Sequence, residues 1–334
     1  MIEAYLQQLQ QPQPSSHKSQ NGKTLIIGGS DLFHAASQWS FRTVSRLVDM
    51  TFYSSVAENN ELLHDAKLYG SDGVIVPRAE IPHYMAEVDS VLIGPGMRRD
   101  MPSRFLPEEL ENLRSQDLTP DDWEKDTAAV VSVLLQEYPH KQWIIDAGAV
   151  QMLQQNWLPE QAILTPHRGE FVRILSNWFG ENSKLGKTWE RLQIGLDEMA
   201  EAYFQGEDSI EPLVLEKNIL DGFVSLKEVA QLQDCARTAG YSHWIVKGQA
   251  DLIWNAERVV AVVGGNAGLT KGGTGDVLAG LVAGFAAKSE PLPSLVVASF
   301  LNKKAGHELF QERGVMYNSS DLVEMIPRVW KKVL

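Results

Sequence analysis

Cysteine is almost missing from this chain: Cys235 is the only one in 334 residues. No internal disulfide can form, and no cysteine-based metal cage. Long apolar runs are missing too. Nothing near the N-terminus has the apolar core of a signal peptide, and no segment reads as a membrane span. Basic residues are outnumbered, 30 Lys and Arg against 43 Asp and Glu, for a formal net charge of −13. That balance disfavours a general nucleic-acid or anionic-membrane surface, so any phosphate ligand must be held by local positive groups. The absences together lead us to expect a reducing, cytoplasmic setting, with no nucleic-acid or membrane partner. Two familiar nucleotide loops are absent as well. Gly180 to Thr188 looks like a Walker A loop but has five residues between its glycines where four are needed, and it follows a helical stretch rather than a strand. The dinucleotide fingerprint would need a third glycine where Leu278 stands.

With 44% hydrophobic content, the chain can bury a large core, as one big α/β domain or two smaller ones. Its organising stretch is Gly264-Gly-Asn-Ala-Gly-Leu-Thr-Lys-Gly-Gly-Thr-Gly-Asp276. Five glycines between Gly264 and Gly273 argue for a loop, because each loses much backbone entropy on ordering. Directly after it, Val277, Leu278, Leu281, Val282 and Phe285 follow helical spacing. A glycine loop feeding a buried helix aims free amides and the positive dipole end at one spot, an anion hole suited to phosphate. Asp276 at the helix start is either an ordinary first-turn acid or a base held beside the phosphate it helps to transfer.

Taken in order, residues 1–22 read as a polar N-terminal arm, glutamine-rich and outside the core. Thr24–Ile27 is the first strand, running into Gly28-Gly-Ser and a helix to about Met50. Strands are expected at 51–56, 73–76 and 89–93, the last ending in Gly94-Pro-Gly-Met97, as a buried parallel strand does when its carboxyl end turns near a ligand. Residues 101–124 are polar and read as a surface insertion, before a helix at 125–138. Another strand, 142–146, ends at Asp146, placed to meet a metal or phosphate or to cap a helix. Ala162 to Glu170 brings Thr165-Pro-His-Arg-Gly-Glu170 to the same sheet edge. Residues 180–222 read as a second insertion, helical near 188–204 and then loop-like. A helix near 224–239 precedes two β runs broken at Lys247-Gly248, and 259–263 is the last strand before the glycine loop. Lys271, inside that loop, either adds a positive charge toward phosphate or faces solvent. Two amphipathic helices near 293–313 and 319–332 close the chain.

Gly272-Gly-Thr-Gly-Asp-Val-Leu-Ala-Gly280 resembles the signature of the NAD(P)H-hydrate dehydratases, a branch of the ribokinase-like superfamily. Gly-Gly-Ser after the first strand, Gly-Pro-Gly at 94–96 and Thr-Pro-His-Arg-Gly-Glu, with Arg168 for the second proline, resemble that family too. The likeness spans roughly residues 24 to 330. It implies a ribokinase-like three-layer α/β/α sandwich with a central, mostly parallel sheet, covering 23–334 as one domain. It also implies a nucleotide-dependent hydro-lyase, which phosphorylates the hydroxyl of NADHX or NADPHX and eliminates phosphate. Asp276 would be the base and a substrate contact together with Ala36, Gly96 and His167. Lys247, Gly248, Gln249, Ala250, Asp251, Gly272, Gly273, Thr274 and Gly275 would hold the phosphates of ADP or ATP, with Mg2+ expected and no dedicated metal cluster. A separate NAD(P)H-hydrate epimerase and a homo-oligomer complete the expectation, since the N-terminal arm is too short to be an epimerase domain. The rivals are a small-alcohol, vitamin-precursor kinase of the same superfamily and an inactive nucleotide-binding module.

Overall fold

A computed structural model describes residues 1–67, 72–99 and 102–334. Ten strands form one sheet: β1 (Lys23–Ile27), β2 (Met50–Ser54), β3 (Val74–Ile75), β4 (Ser90–Ile93), β5 (Gln142–Ile145), β6 (Ile163–Leu164), β7 (Ser209–Glu216), β8 (His243–Val246), β9 (Ala250–Trp254) and β10 (Val259–Asn266). Their order is β3-β2-β1-β4-β5-β6-β8-β9-β10-β7. Neighbours from β3 to β8 are parallel, and the pairs from β8 to β7 are antiparallel.

Alternation explains the layers. Leu25 and Ile27 of β1 face one hydrophobic core while Ile26 faces another, and β4 and β5 repeat the pattern with Val91, Leu92 and Ile93 and with Trp143, Ile144 and Ile145. Strands buried on both faces need helices on both, which gives the expected three-layer α/β/α sandwich with a central, mostly parallel sheet. On one side pack the helices Thr127–Glu137, Arg168–Phe179, Lys184–Phe204 and Leu226–Thr238; on the other lie Ala35–Val44, Thr274–Ala286, Pro291–Arg313 and Ser319–Val333. Among the described residues, no helix is long and apolar enough to cross a membrane.

The chain leaves β1 toward β2 and β3 on one side and returns to β4 on the other. Such a reversal opens a crevice at the strands' carboxyl ends. The loops after β1 and β4 meet there, with the Gly29 amide donating to the Pro95 carbonyl at 2.7 Å. A side chain on Gly28 would run into that same carbonyl.

Three stretches differ from the sequence reading, and the insertion near 101–124 shows an anchor that the reading did not name. The N-terminal arm is docked: Tyr5, Leu6 and Leu9 are buried, and the Tyr5 hydroxyl donates to Glu216 at 2.5 Å and accepts from Arg258 at 2.7 Å. Residues 102–125 are tied down by Arg78, which donates to the carbonyls of Trp123 (3.0 Å) and Glu124 (3.1 Å) and to those of Gly28 (2.9 Å) and Gly29 (2.7 Å). Met101, where that insertion was placed to begin, lies outside the described residues. The stretch after residue 204 contains β7, an edge strand; Pro212, which lacks an amide, is tolerated at an edge. Finally, Gly264 and Gly265 belong to β10 rather than to the loop, because a bulge between Val263 and Gly265 lets the strand continue against β7 at φ values (+139° and +90°) that favour glycine.

Candidate functional site

A cavity of about 1000 Å³ lies over the carboxyl ends of the central strands. It is lined by Ala36, Gly96, His167, Lys247, Gly248, Gln249, Asp251, Gly272, Gly273, Thr274, Gly275 and Asp276. These are the residues that sequence reasoning singled out, with one exception. Ala250 is buried within β9, opposite Val263, and does not line the cavity.

One end of the cavity is built on the start of the Thr274–Ala286 helix. Gly273 adopts φ +97° just before it, and a side chain there would collide with the Trp39 ring from the Ala35–Val44 helix. The Gly273 and Gly275 amides have no protein acceptor among the described residues. The Thr274 hydroxyl points back into its own loop, donating to the Leu269 (2.6 Å) and Lys271 (2.9 Å) carbonyls. Lys271 does not aim at this cradle. Its ammonium donates to the carbonyls of Val315 and Tyr317, so the loop's own lysine fastens it to the chain's last turn.

The cation at this end is Lys247, at the end of β8. Its ammonium contacts Asp146 at 2.8 Å and would lie 3.4 Å from a Cβ placed on Gly275. Burial alone would lower its pKa, but Asp146, Glu170 and Asp276 outweigh burial and hold it above the usual lysine value. Asp276 is pushed up to about 7, first by burial and then by the negative charge of Asp146, against the opposing pull of Lys247. A carboxylate with that proton affinity is poised to exchange a proton near neutral pH.

The turn after Lys247 is set by two buried charges. The Asp251 carboxylate accepts from the Gly248 amide (2.7 Å) and the Ser299 hydroxyl (2.7 Å), and Lys303 lies 3.3 Å from it. Lys303 also donates to the carbonyls of Gly248 (2.7 Å), Gln249 (3.2 Å) and Gly264 (3.3 Å). Asp251 therefore shapes the turn, and with its oxygens engaged it is poorly suited to touch an anion. What the turn offers a ligand is its backbone.

The other end is apolar. Gly96, at φ +72°, brings the loop after β4 against Ala36, with 3.2 Å between a Cβ on Gly96 and that of Ala36. Leu32 and Phe33 line the mouth and are exposed. Arg98 holds Asp31 at 2.9 Å and so fastens the two loops together. His167 caps the Arg168–Phe179 helix: its Nδ1 accepts from the Gly169 (3.0 Å) and Glu170 (3.2 Å) amides, which leaves Nε2 as the protonated nitrogen of the neutral ring. Glu170 returns the cap by accepting from the His167 amide at 3.0 Å.

Sequence reasoning missed Lys303 and Asn302 in the cavity wall. Their signal was present, since Asn302-Lys303-Lys304 directly follows the apolar run Leu295-Val-Val-Ala-Ser-Phe-Leu301, and the structure buries all three. The Asn302 side-chain oxygen is buried with no hydrogen-bond partner among the described residues. Trp39 was missed for lack of any local signal.

A family model described as NAD(P)H-hydrate dehydratase matches residues 222–328, from before β8 to the last helix. The bifunctional NAD(P)H-hydrate repair enzyme of Methanocaldococcus jannaschii is 27% identical over 98% of this chain and 51% of its own length. The ADP-dependent (S)-NAD(P)H-hydrate dehydratase of Cenarchaeum symbiosum is 26% identical over 95% and 91%. The chain thus spans about half the length of the bifunctional relatives. Among solved structures, a ribokinase-like superfamily protein of Enterococcus faecalis superposes with a TM-score of 0.66 at 19% identity, covering 99% of this chain and 94% of that one. The ADP/ATP-dependent NAD(P)H-hydrate dehydratase of Bacillus subtilis, co-crystallised with ATP/Mg2+, gives 0.63 at 20% identity, covering 100% and 98%. The two structures show a shared fold. The sequence relatives, and the family match over the glycine loop and Asp276, make this chain similar to the NAD(P)H-hydrate dehydratases.

Proposed function

We propose that this chain is a nucleotide-dependent dehydratase that returns hydrated NADH or NADPH to the intact cofactor. Hydroxide is a poor leaving group and phosphate a good one. Asp276 takes the proton of the 6-hydroxyl as its oxygen bonds to the donor's terminal phosphorus and the donor's own P–O bond breaks. The ring nitrogen then expels phosphate, and loss of a C5 proton restores the ring double bond. The amides around Gly273 and Gly275, with Lys247, face the charge on the transferred group, and the turn from Gly248 to Asp251 frames the rest of the donor. The substrate's nicotinamide ring lies between Ala36, Gly96 and His167.

One observation carries this reading: Asp276, Lys247 and the glycine cradle share a single cavity with the apolar pair Ala36 and Gly96. Mg2+ belongs to the proposal as the donor's counter-ion. Among the described residues, no group of three or more His, Cys or acidic side chains could cage a metal, which fits an ion bound mainly by phosphates and water with one or two carboxylates. When bound it would draw negative charge off the phosphate oxygens. The cytoplasmic setting, the separate epimerase partner and a homo-oligomer remain part of the proposal. The exposed Ile194 is one apolar side chain available to a subunit contact, and sedimentation would check it.

Purified protein given NADHX with ADP or ATP should regain the dihydronicotinamide absorbance and release inorganic phosphate. A stable phosphoester instead would identify the small-alcohol kinase, and no reaction despite nucleotide binding would identify the idle module. His167 and Gly96 favour the dehydratase, because the resemblance assigns both to the substrate and both line the same cavity.

A further inference from the structure

Asp146 does not cap the helix that follows it. It is 1% exposed, makes no side-chain cap bond, and accepts from the Thr165 hydroxyl and the Lys247 ammonium, both at 2.8 Å. It lines the same cavity as Asp276. The backbone around it is constrained to keep it there. Ala147 takes φ +45°, and a side chain on Gly148 would strike the Met97 carbonyl, so the chain turns sharply just beyond Asp146.

We propose, building on the dehydratase reading, that Asp146 is a positioning residue for the reaction: it pins the Lys247 ammonium against Gly275 and presents a second negative charge to Asp276, so that lysine and base act as one unit. Thr165, on the neighbouring strand end, aims the carboxylate, and Lys247 reaches from β8 across to the helix start. The other charges around Asp276 are accounted for. Glu170 adds a weaker negative field. Lys303, from the Pro291–Arg313 helix, is engaged by Asp251 and three carbonyls. Lys271 turns to the last helix's approach, and Asp321 of that helix caps Asn318. The Ala35–Val44 helix contributes a neutral contact, the Ser40 hydroxyl donating to the Asp276 carbonyl at 2.8 Å. Asp146 and Lys247 are thus the pair that governs the base.

The test is Asp146→Asn, which keeps the shape and can still accept from Thr165. The Asp276 carboxyl is followed by carbon NMR titration in the nucleotide-free protein, with kcat and KM measured across pH. The Asp276 midpoint should fall by about one unit, a tenfold change in proton affinity. The acid limb of kcat/KM should move down with it, and donor KM should rise about tenfold while NADHX KM holds. A midpoint and donor KM equal to the unaltered protein's would overturn the proposal. Should the single variant fail to fold, Asp146→Asn with Lys247→Gln removes both charges together. Its midpoint should lie below that of Lys247→Gln alone, and equality of the two would again refute Asp146's role. Because the titration needs no turnover, a shifted midpoint in a protein that never dehydrates NADHX would sink the dehydratase reading and leave the placement of Asp146 intact.

Discussion

The two ends of the cavity are made of different material. At the end proposed for the donor the two buried lysines are paired, Lys247 with Asp146 and Lys303 with Asp251. At the substrate end Leu32 and Phe33 stand exposed at the mouth, and the backbones of Gly28, Gly29, Pro95 and Gly96 interlock behind them. Paired charge in a low-dielectric site fixes position and proton affinity. Exposed apolar surface fixes neither, but it gains by covering a ring. On the proposed reading the donor end is therefore the rigid half, where chemistry is set, and the substrate mouth is the adaptable half.

The hardest blow to that contrast is Asp276→Ala, expected to lower kcat by about 10² to 10⁴ fold while donor binding by calorimetry survives. Unchanged kcat would dissolve the distinction. Next comes Lys247→Ala, which strands the buried Asp146 carboxylate; breaking such a pair costs about 3–5 kcal/mol, readable in chemical denaturation, and donor KM should rise alongside. Gly273→Ala should cost about 1–2 kcal/mol for the left-handed backbone alone, with a further loss from its collision with Trp39, both visible in Tm.

Proton affinity gives a finer measure. Asp276 holds its proton more tightly folded (about 7) than its ordinary 3.8, so the folded state binds more protons between those values and stability falls as pH rises through them. Asp276→Asn should thus melt at a higher temperature than the unaltered protein at pH 8 and at nearly the same temperature at pH 4. If Asp276 is the base, activity should decline as pH falls below about 7. The smallest effect belongs to the mouth: Phe33→Ala should raise NADHX KM by a few fold and leave donor KM alone. An equal change in both would erase the division into halves.

The parallel strands and the glycine loop were legible in the chain because local pattern determines them: apolar runs stop at Gly94-Pro-Gly and Lys247-Gly, and helical spacing starts directly after Gly275. β7 was not legible. Its Ser209-Ile-Glu-Pro reads as a turn, and only pairing with β10 makes it a strand. The same holds for Gly264 and Gly265, whose place in β10 depends on that partner. Among site residues, His167 and Lys247 sit in motifs, whereas Lys303 acts through carbonyls that are distant in sequence. Lys271 had the right address and the wrong direction, because its ammonium finds the Val315 and Tyr317 carbonyls, which no local rule places beside it. Docking of Tyr5 likewise depends on Glu216 and Arg258, far along the chain.

The run of adjacent hairpins from β8 through β10, leading straight into the Thr274–Ala286 helix, bears on how the molecule is assembled. Neighbours in sequence are neighbours in space there, so little loop entropy opposes their meeting, while the mouth must join segments drawn from Leu32 and Met97 at the far end of the chain. In pulse-labelled hydrogen exchange during refolding, amides of β8 to β10 should gain protection before those of β1 and β4, so that on the proposed reading a refolding molecule forms its phosphate cradle before its ring pocket.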